Sequence, residues 1–177
     1  MGDAEDSLSK KLFNELSDKQ SYPANEKAQA HLLEQYKLYV EMMDRGSGRR
    51  LTANTYFLSV NTALLSYVAY IAKDATGYLW ILGLAGIALC WLWYCIIESH
   101  KKLNTAKFAV IHLIERRLPM NPYAAEWAAA GEGKDSSRYR PFTHIETGVP
   151  LIFGALHAIV FVCALPWETF RRWFCVG

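Results

Sequence analysis

Between Leu51 and Ala72 the chain carries no charged residue. A helix over that run is about 33 Å long, enough to cross a hydrocarbon core of about 30 Å. The run is not uniformly apolar. Thr55, Ser59, Thr62 and Ser66 recur at helical spacing on one face, and Asn54 and Asn61 widen that stripe. Tyr56, Phe57, Val60, Leu64 and Tyr67 fall largely to the other side. Two roles fit such a stripe. Small hydroxyl residues let membrane helices approach and bond to one another, or they wall a hydrated path. Either role makes this helix an assembly surface.

Two more apolar runs follow. Tyr78 to Ile97 is the second expected span, with Trp80, Trp91, Trp93 and Tyr94 toward its ends and Gly83 and Gly86 suited to a close helix contact. Ile145 to Trp167 is the third, with Pro150 near its start and Pro166 at its end. Before the first span, Leu32, Leu33, Tyr36, Tyr39, Val40 and Met43 form the apolar stripe of an amphipathic helix, with Glu41 and Arg45 as an i, i+4 pair outside it. After the second, Leu103, Ala106, Val110, Leu113 and Ile114 form another, stopped by Pro119. The second span is expected to run into that helix without a break.

The pattern predicts an all-α membrane protein. Its parts are a polar N-terminal segment (1–24), an amphipathic cytoplasmic helix (25–48), a transmembrane hairpin (49–97), a cytoplasmic helix and loop (98–144), and a third membrane segment with its tail (145–177). Gly46-Ser-Gly48 is the expected flexible joint before the hairpin, and Lys73 to Gly77 its tight turn.

Composition agrees with a membrane module, with 52% hydrophobic residues, six Trp and ten Tyr. A formal charge of +2 is too small to argue for nucleic acid as a partner. The distribution of charge says more. Eight Lys and Arg precede the first span, eight lie between the second and third, one is in the hairpin turn and two are in the tail. The positive-inside rule then puts the N-terminus and residues 98–146 in the cytoplasm. A full third crossing places Arg171 and Arg172 outside, so a re-entrant third segment stays open beside the favoured crossing. The polar first 50 residues predict no signal peptide. Cys90, Cys95, Cys163 and Cys175 form no Cys-x-x-Cys and have no His cluster beside them, so no metal or other cofactor is expected.

Few residues offer chemistry. His157 stands midway along the third apolar run. An ionisable group at that depth is a candidate gate that titrates near neutral pH, or a neutral imidazole bonded to a neighbouring helix. Arg138 is followed by five residues and then His144, with Arg140 between them. That spacing matches the loose Arg-x(4–6)-His signature of HEPN ribonucleases, but Pro141 breaks the helix that would present the pair. A basic and aromatic membrane-proximal anchor is the other reading, with Glu146 suited to the start of the third helix. The chain has no Gly-rich phosphate loop, no paired catalytic carboxylates and no Ser-His-Asp set, so it is not expected to be an enzyme.

Longer strings carry a resemblance. Leu33-Glu-Gln-Tyr-Lys-Leu-Tyr-Val-Glu-Met42, the run from Arg49 to Ala63, Leu103-Asn-Thr-Ala-Lys-Phe108, Glu115-Arg-Arg-Leu-Pro119, Pro122-Tyr-Ala-Ala-Glu-Trp127 and Pro141-Phe-Thr-His-Ile-Glu146 resemble the RipA-type family of octameric bacterial inner-membrane proteins. In length and in the degenerate Arg-x(5)-His, the chain is also similar to the small membrane accessory proteins of type VI-B CRISPR systems. The resemblance implies a homo-octameric ring whose cytoplasmic helices extend a channel. Its opening would depolarise the inner membrane and strengthen antiviral defence when an RNA-guided nuclease is triggered. It leaves two alternatives standing: a membrane-tethered HEPN-like ribonuclease using Arg138 or Arg140 with His144, and a non-conducting scaffold for a cytoplasmic partner.

Overall fold

The structure is a computed structural model that describes residues 2–13, 26–72, 78–134, 137 and 142–166, the side chains of 2–4, 26 and 142–144 excepted. The fold is all-α among these residues. Its helices are α1 (Gly2–Leu12), α2 (Glu26–Ile71), α3 (Leu79–Glu115), α4 (Pro122–Ala129) and α5 (Phe142–Ala164), with a 3₁₀ turn at Gly131–Gly133. The turn expected at residues 73–77 and the basic tail at Arg171 and Arg172 lie outside the described residues.

Two helices are long and apolar enough to cross a membrane, Leu79–Glu115 with a mean hydropathy of 2.1 over its best window and Ile145–Ala164 with 2.0. Helix α2 is not among them. Its uncharged half carries Asn, Ser, Thr and Tyr at many positions, which lowers its hydropathy.

The chain divides into two compact units. The first comprises Met1–Gly48 and Lys101–Pro141. On α2, Leu32, Tyr36, Tyr39 and Val40 are half-buried and Met43 is buried, as the stripe predicts, but Leu33 is exposed. On α3 Val110 is half-buried and Leu113 and Ile114 are buried, as expected, but Leu103 and Ala106 are exposed, while Asn104, Lys107 and Phe108 are half-buried and Ile111 and Glu115 are buried. Those positions keep a helical period, so three polar residues occupy places that a purely apolar stripe would not assign. The joint expected at Gly46-Ser-Gly48 is instead continuous helix. Each Gly costs a helix about 1 kcal/mol, but here the turn is braced. Ser47 Oγ donates to the Met43 carbonyl at 3.4 Å, and the end of the Lys107 side chain lies over Gly46, where a Cβ would come within 3.1 Å of Nζ.

The second unit comprises Arg49–His100 and Phe142–Gly177. Within it α3 runs antiparallel to both neighbours. A Cβ on Gly83 would lie 2.7 Å from the Phe161 backbone nitrogen and one on Gly154 3.6 Å from Cys90 Cβ. The Phe57 and Trp93 rings stack with centroids 5.8 Å apart. Phe57, Trp93 and Ile97 form the core, with Leu89, Ile96, Val149 and Phe153 against it. The close contact expected of Gly83 and Gly86 is thus made with α5. Trp93, expected among the aromatics near a membrane interface, is instead buried in this core. Pro150 lies inside α5 and is itself fully buried.

Candidate functional site

Polar residues of the second unit sort into a buried set and an exposed set. Asn61 is fully buried. Its Nδ2 donates to the Phe57 carbonyl at 2.8 Å, which fixes the amide so that Oδ1 accepts. Cys90 Sγ donates to that oxygen at 3.2 Å, and His157 Nε2 lies 3.2 Å from it. Nε2 is therefore a donor, its proton directed at Asn61 Oδ1. His157 is also fully buried, and its Nδ1 has no hydrogen-bond partner. A Cβ on Gly86 would come within 2.1 Å of His157 Nδ1, so only glycine admits the histidine here.

Further along the same inner face of α2, Asn54 joins all three segments. Its Nδ2 donates to Glu146 Oε1 at 2.9 Å, and its Oδ1 accepts from Trp93 Nε1 at 2.9 Å. Arg50 Nε lies 3.6 Å from the same Glu146 oxygen. Glu146 is buried and its Oε2 has no hydrogen-bond partner. The two asparagines therefore do not widen the hydroxyl stripe; they face inward and cross-link the unit.

Thr55, Ser59, Thr62 and Ser66 are exposed. Three of them bond back along the helix: Thr55 Oγ1 to the Leu51 carbonyl at 3.0 Å, Ser59 Oγ to that of Thr55 at 2.9 Å and Thr62 Oγ1 to that of Leu58 at 2.8 Å. With these three hydroxyl protons committed to carbonyls, the oxygens of Thr55, Ser59 and Thr62 turn only lone pairs outward. The face is a row of acceptors.

In the first unit the Glu115-Arg116-Arg117 end of α3, which the charges alone suit to a solvated helix end or a subunit contact, buries its acid. Glu115 is fully buried. Its Oε1 accepts from Tyr36 Oη at 3.0 Å and from the Tyr123 backbone N–H at 3.0 Å, and its Oε2 accepts from the Ala124 N–H at 3.3 Å. His112 Nδ1 stands 3.6 Å from Oε2. Asn121, at the N-cap of α4, makes no side-chain cap, so Glu115 satisfies the first amides of α4 in its place. Burial, reinforced by the hydrogen bond to Glu115 and its charge, pushes the Tyr36 hydroxyl up to about 12. Burial, then the charges of Glu126, Glu115 and Asp44, raises Tyr123 as well. The signal available in sequence was a lone acid between Ile114 and Arg116, two residues of opposite preference for burial.

Arg138 and Arg140 lie outside the described residues, as does the side chain of His144, whose backbone is in the first turn of α5. Among the described residues no group of three or more His, Cys, Asp or Glu is placed to hold a metal ion.

A sequence model described as the octameric membrane protein family (8xMP) matches residues 33–166, well over half of the chain. No curated protein and no solved structure matches it.

Proposed function

Because the chain belongs to the octameric membrane protein family, and so is a self-associating membrane protein, we propose that its copies close a ring around a hydrated path and leak ions passively. The observation that carries this reading is the exposed row of Thr55, Ser59, Thr62 and Ser66 on the uncharged half of α2. Hydroxyl oxygens turned away from their own three-helix unit offer lone pairs to water or a neighbouring copy. In a symmetric ring one such face per subunit supplies a continuous polar wall. A wall of acceptor oxygens with no Lys or Arg between Leu51 and Ala72 favours cations over anions.

The protein acts as a conductor rather than an enzyme, and the ring sits in the bacterial inner membrane with the N-terminus in the cytoplasm. Opening depolarises that membrane. The strings shared with accessory proteins of RNA-guided defence support an antiviral or stress setting, in which a triggered nuclease system is the functional partner. His157 is a gate element by packing. Being fully buried, it controls how α2, α3 and α5 fit and does not touch the path.

The test is ion flux into vesicles containing the purified protein, with a voltage-sensitive dye as readout. Changing Thr55, Ser59 and Thr62 together to Leu is expected to abolish the leak while native mass measurement still returns the oligomer of the unmodified chain. Undiminished leak through that oligomer would remove the stripe from the wall.

A further inference from the structure

We propose that the copies join through the two flanks of α2, the tyrosine flank of one copy (Tyr56, Ala63, Tyr67 and Tyr70) packing on the leucine flank of the next (Leu58, Thr62, Leu65 and Ala69). The contact rests on the hydroxyl row lining the path. A helix that turns one face to a central axis turns the faces a quarter-turn away toward its neighbours in the ring. At about 100° per residue, Tyr56, Tyr67 and Tyr70 lie roughly a quarter-turn to one side of the row, and Leu58, Leu65 and Ala69 roughly as far to the other. Thr62 borders the row and the leucine flank together.

Both flanks reach the surface of their own unit. Tyr56, Tyr67 and Tyr70 are 64%, 54% and 79% exposed and Leu58 is 43% exposed. Ala63, Thr62 and Ala69 are exposed as well, and Leu65 is half-buried. Each flank also repeats at helix-packing intervals. Ala63, Tyr67 and Tyr70 follow Tyr56 by 7, 11 and 14 residues, and Thr62, Leu65 and Ala69 follow Leu58 by 4, 7 and 11. Steps of three and four keep a seam facing one partner helix over several turns.

The flanks complement one another in size and in hydrogen bonding. Copies around one axis sit at equal depth. A helical side chain leans toward the N-terminus and covers the turn before its own Cα, so Tyr67 lies over the neighbour's Leu65 and Thr62. Thr62 Oγ1 has given its proton to the Leu58 carbonyl at 2.8 Å, and its lone pair accepts the phenol proton. Lipid is the poorer occupant. Tyr67 is about 9 Å along the helix from Asn61, which bonds to both candidate spans, and its lean carries the phenol back toward that depth. Against acyl chains the O–H would go unpaired. A two-fold contact is also disfavoured, because it pairs a flank with itself and stops at two copies, whereas tyrosine flank on leucine flank continues to a closed ring.

The test is oxidative crosslinking, in native membranes, of the full chain freed of its own cysteines. Tyr67→Cys with Leu65→Cys is expected to give a ladder of crosslinked species running beyond the dimer, while either cysteine alone stays monomeric. Dimers from Tyr67→Cys alone, or no crosslink in the pair, overturns the proposal. A second measurement leaves the cysteines in place. Tyr67→Phe and Thr62→Val should each raise the concentration at which the oligomer half-dissociates in detergent by about threefold, and the two together by no more than one alone. Effects that multiply would break the assigned bond. Neither readout depends on conductance. A ladder from a chain that leaks nothing keeps the contact and removes the path, and leak through a chain without a ladder does the reverse.

Discussion

The tightest coupling in the second unit is among Asn61, His157 and Gly86. Asn61 Oδ1 serves both Cys90 and His157, and Gly86 leaves the space the imidazole fills. Gly86→Ala is therefore expected to lower stability by about 1–3 kcal/mol, since a methyl forced into a packed ring moves a helix. Gly148→Ala is the control, because a Cβ there meets nothing within 4 Å; it should be neutral or slightly stabilising. Thermal unfolding of the detergent-solubilised protein separates the two, and equal midpoints would show that α3 and α5 are not apposed at His157. Asn61→Leu removes the acceptor for both partners and should cost about 1–3 kcal/mol for the buried groups left unpaired. The sequence shows the glycines' close approach but not the direction of the asparagines. Asn54, Phe57, Asn61 and Val68 share one inward helical face, yet polarity alone groups Asn54 and Asn61 with the hydroxyls beside them. Only the presence of Trp93, Cys90 and His157 opposite, brought there by segments 29 or more residues away, turns the amides inward.

At the scale of elements, Glu115 ends α3 and begins α4. Glu115→Ala should free the Tyr123 and Ala124 amides, and hydrogen exchange at both is expected to rise about tenfold or more, from the loss of roughly 1.4 kcal/mol of capping. Unchanged exchange there would mean that α4 is held by other contacts. The same acid makes the first unit sensitive to alkali. The Tyr36 hydroxyl is raised from 10.0 to about 12, so its contribution to stability is complete below pH 10 and lost as the pH climbs to about 12. Tyr39 and Tyr123 are also raised and act in the same direction. Unfolding midpoints across that range should fall less steeply in Tyr36→Phe than in the unmodified chain; parallel slopes would remove Tyr36 from the titration. The stripe on α2 from Leu32 to Met43 was legible because its inner residues are apolar. The face of α3 was legible at Val110, Leu113 and Ile114 but not at Asn104, Lys107 and Glu115, polar residues that turn inward. Gly46-Ser-Gly48 likewise looks like a joint until the neighbouring Lys107 is in place.

For the molecule as a whole, the question is whether α2 crosses the membrane with α3 and α5. Hydropathy singles out only those two, but it averages over faces that do different work. Asn61 is ten residues from either end of the uncharged stretch Leu51–Ile71. It bonds to Cys90 and His157, both inside candidate spans. The middle of that stretch is therefore at the depth of those spans, and the pairing of Asn54 with Trp93 sets it antiparallel to α3. We therefore propose that α2 crosses with them. Its buried amides are satisfied by partners in the unit, and its outer hydroxyls by carbonyls of their own helix and by whatever lies beyond. Single cysteines placed in a cysteine-free chain test this in intact bacteria with a membrane-impermeant maleimide. Ala72→Cys and the exposed Tyr78→Cys should react from outside, and Ser47→Cys and Lys134→Cys only after the membrane is opened. Labelling at Tyr78→Cys without Ala72→Cys would leave α2 on the inner side and take the hydroxyl row out of the bilayer. The reverse labelling of all four sites would keep three crossings but invert the orientation that the basic residues favour.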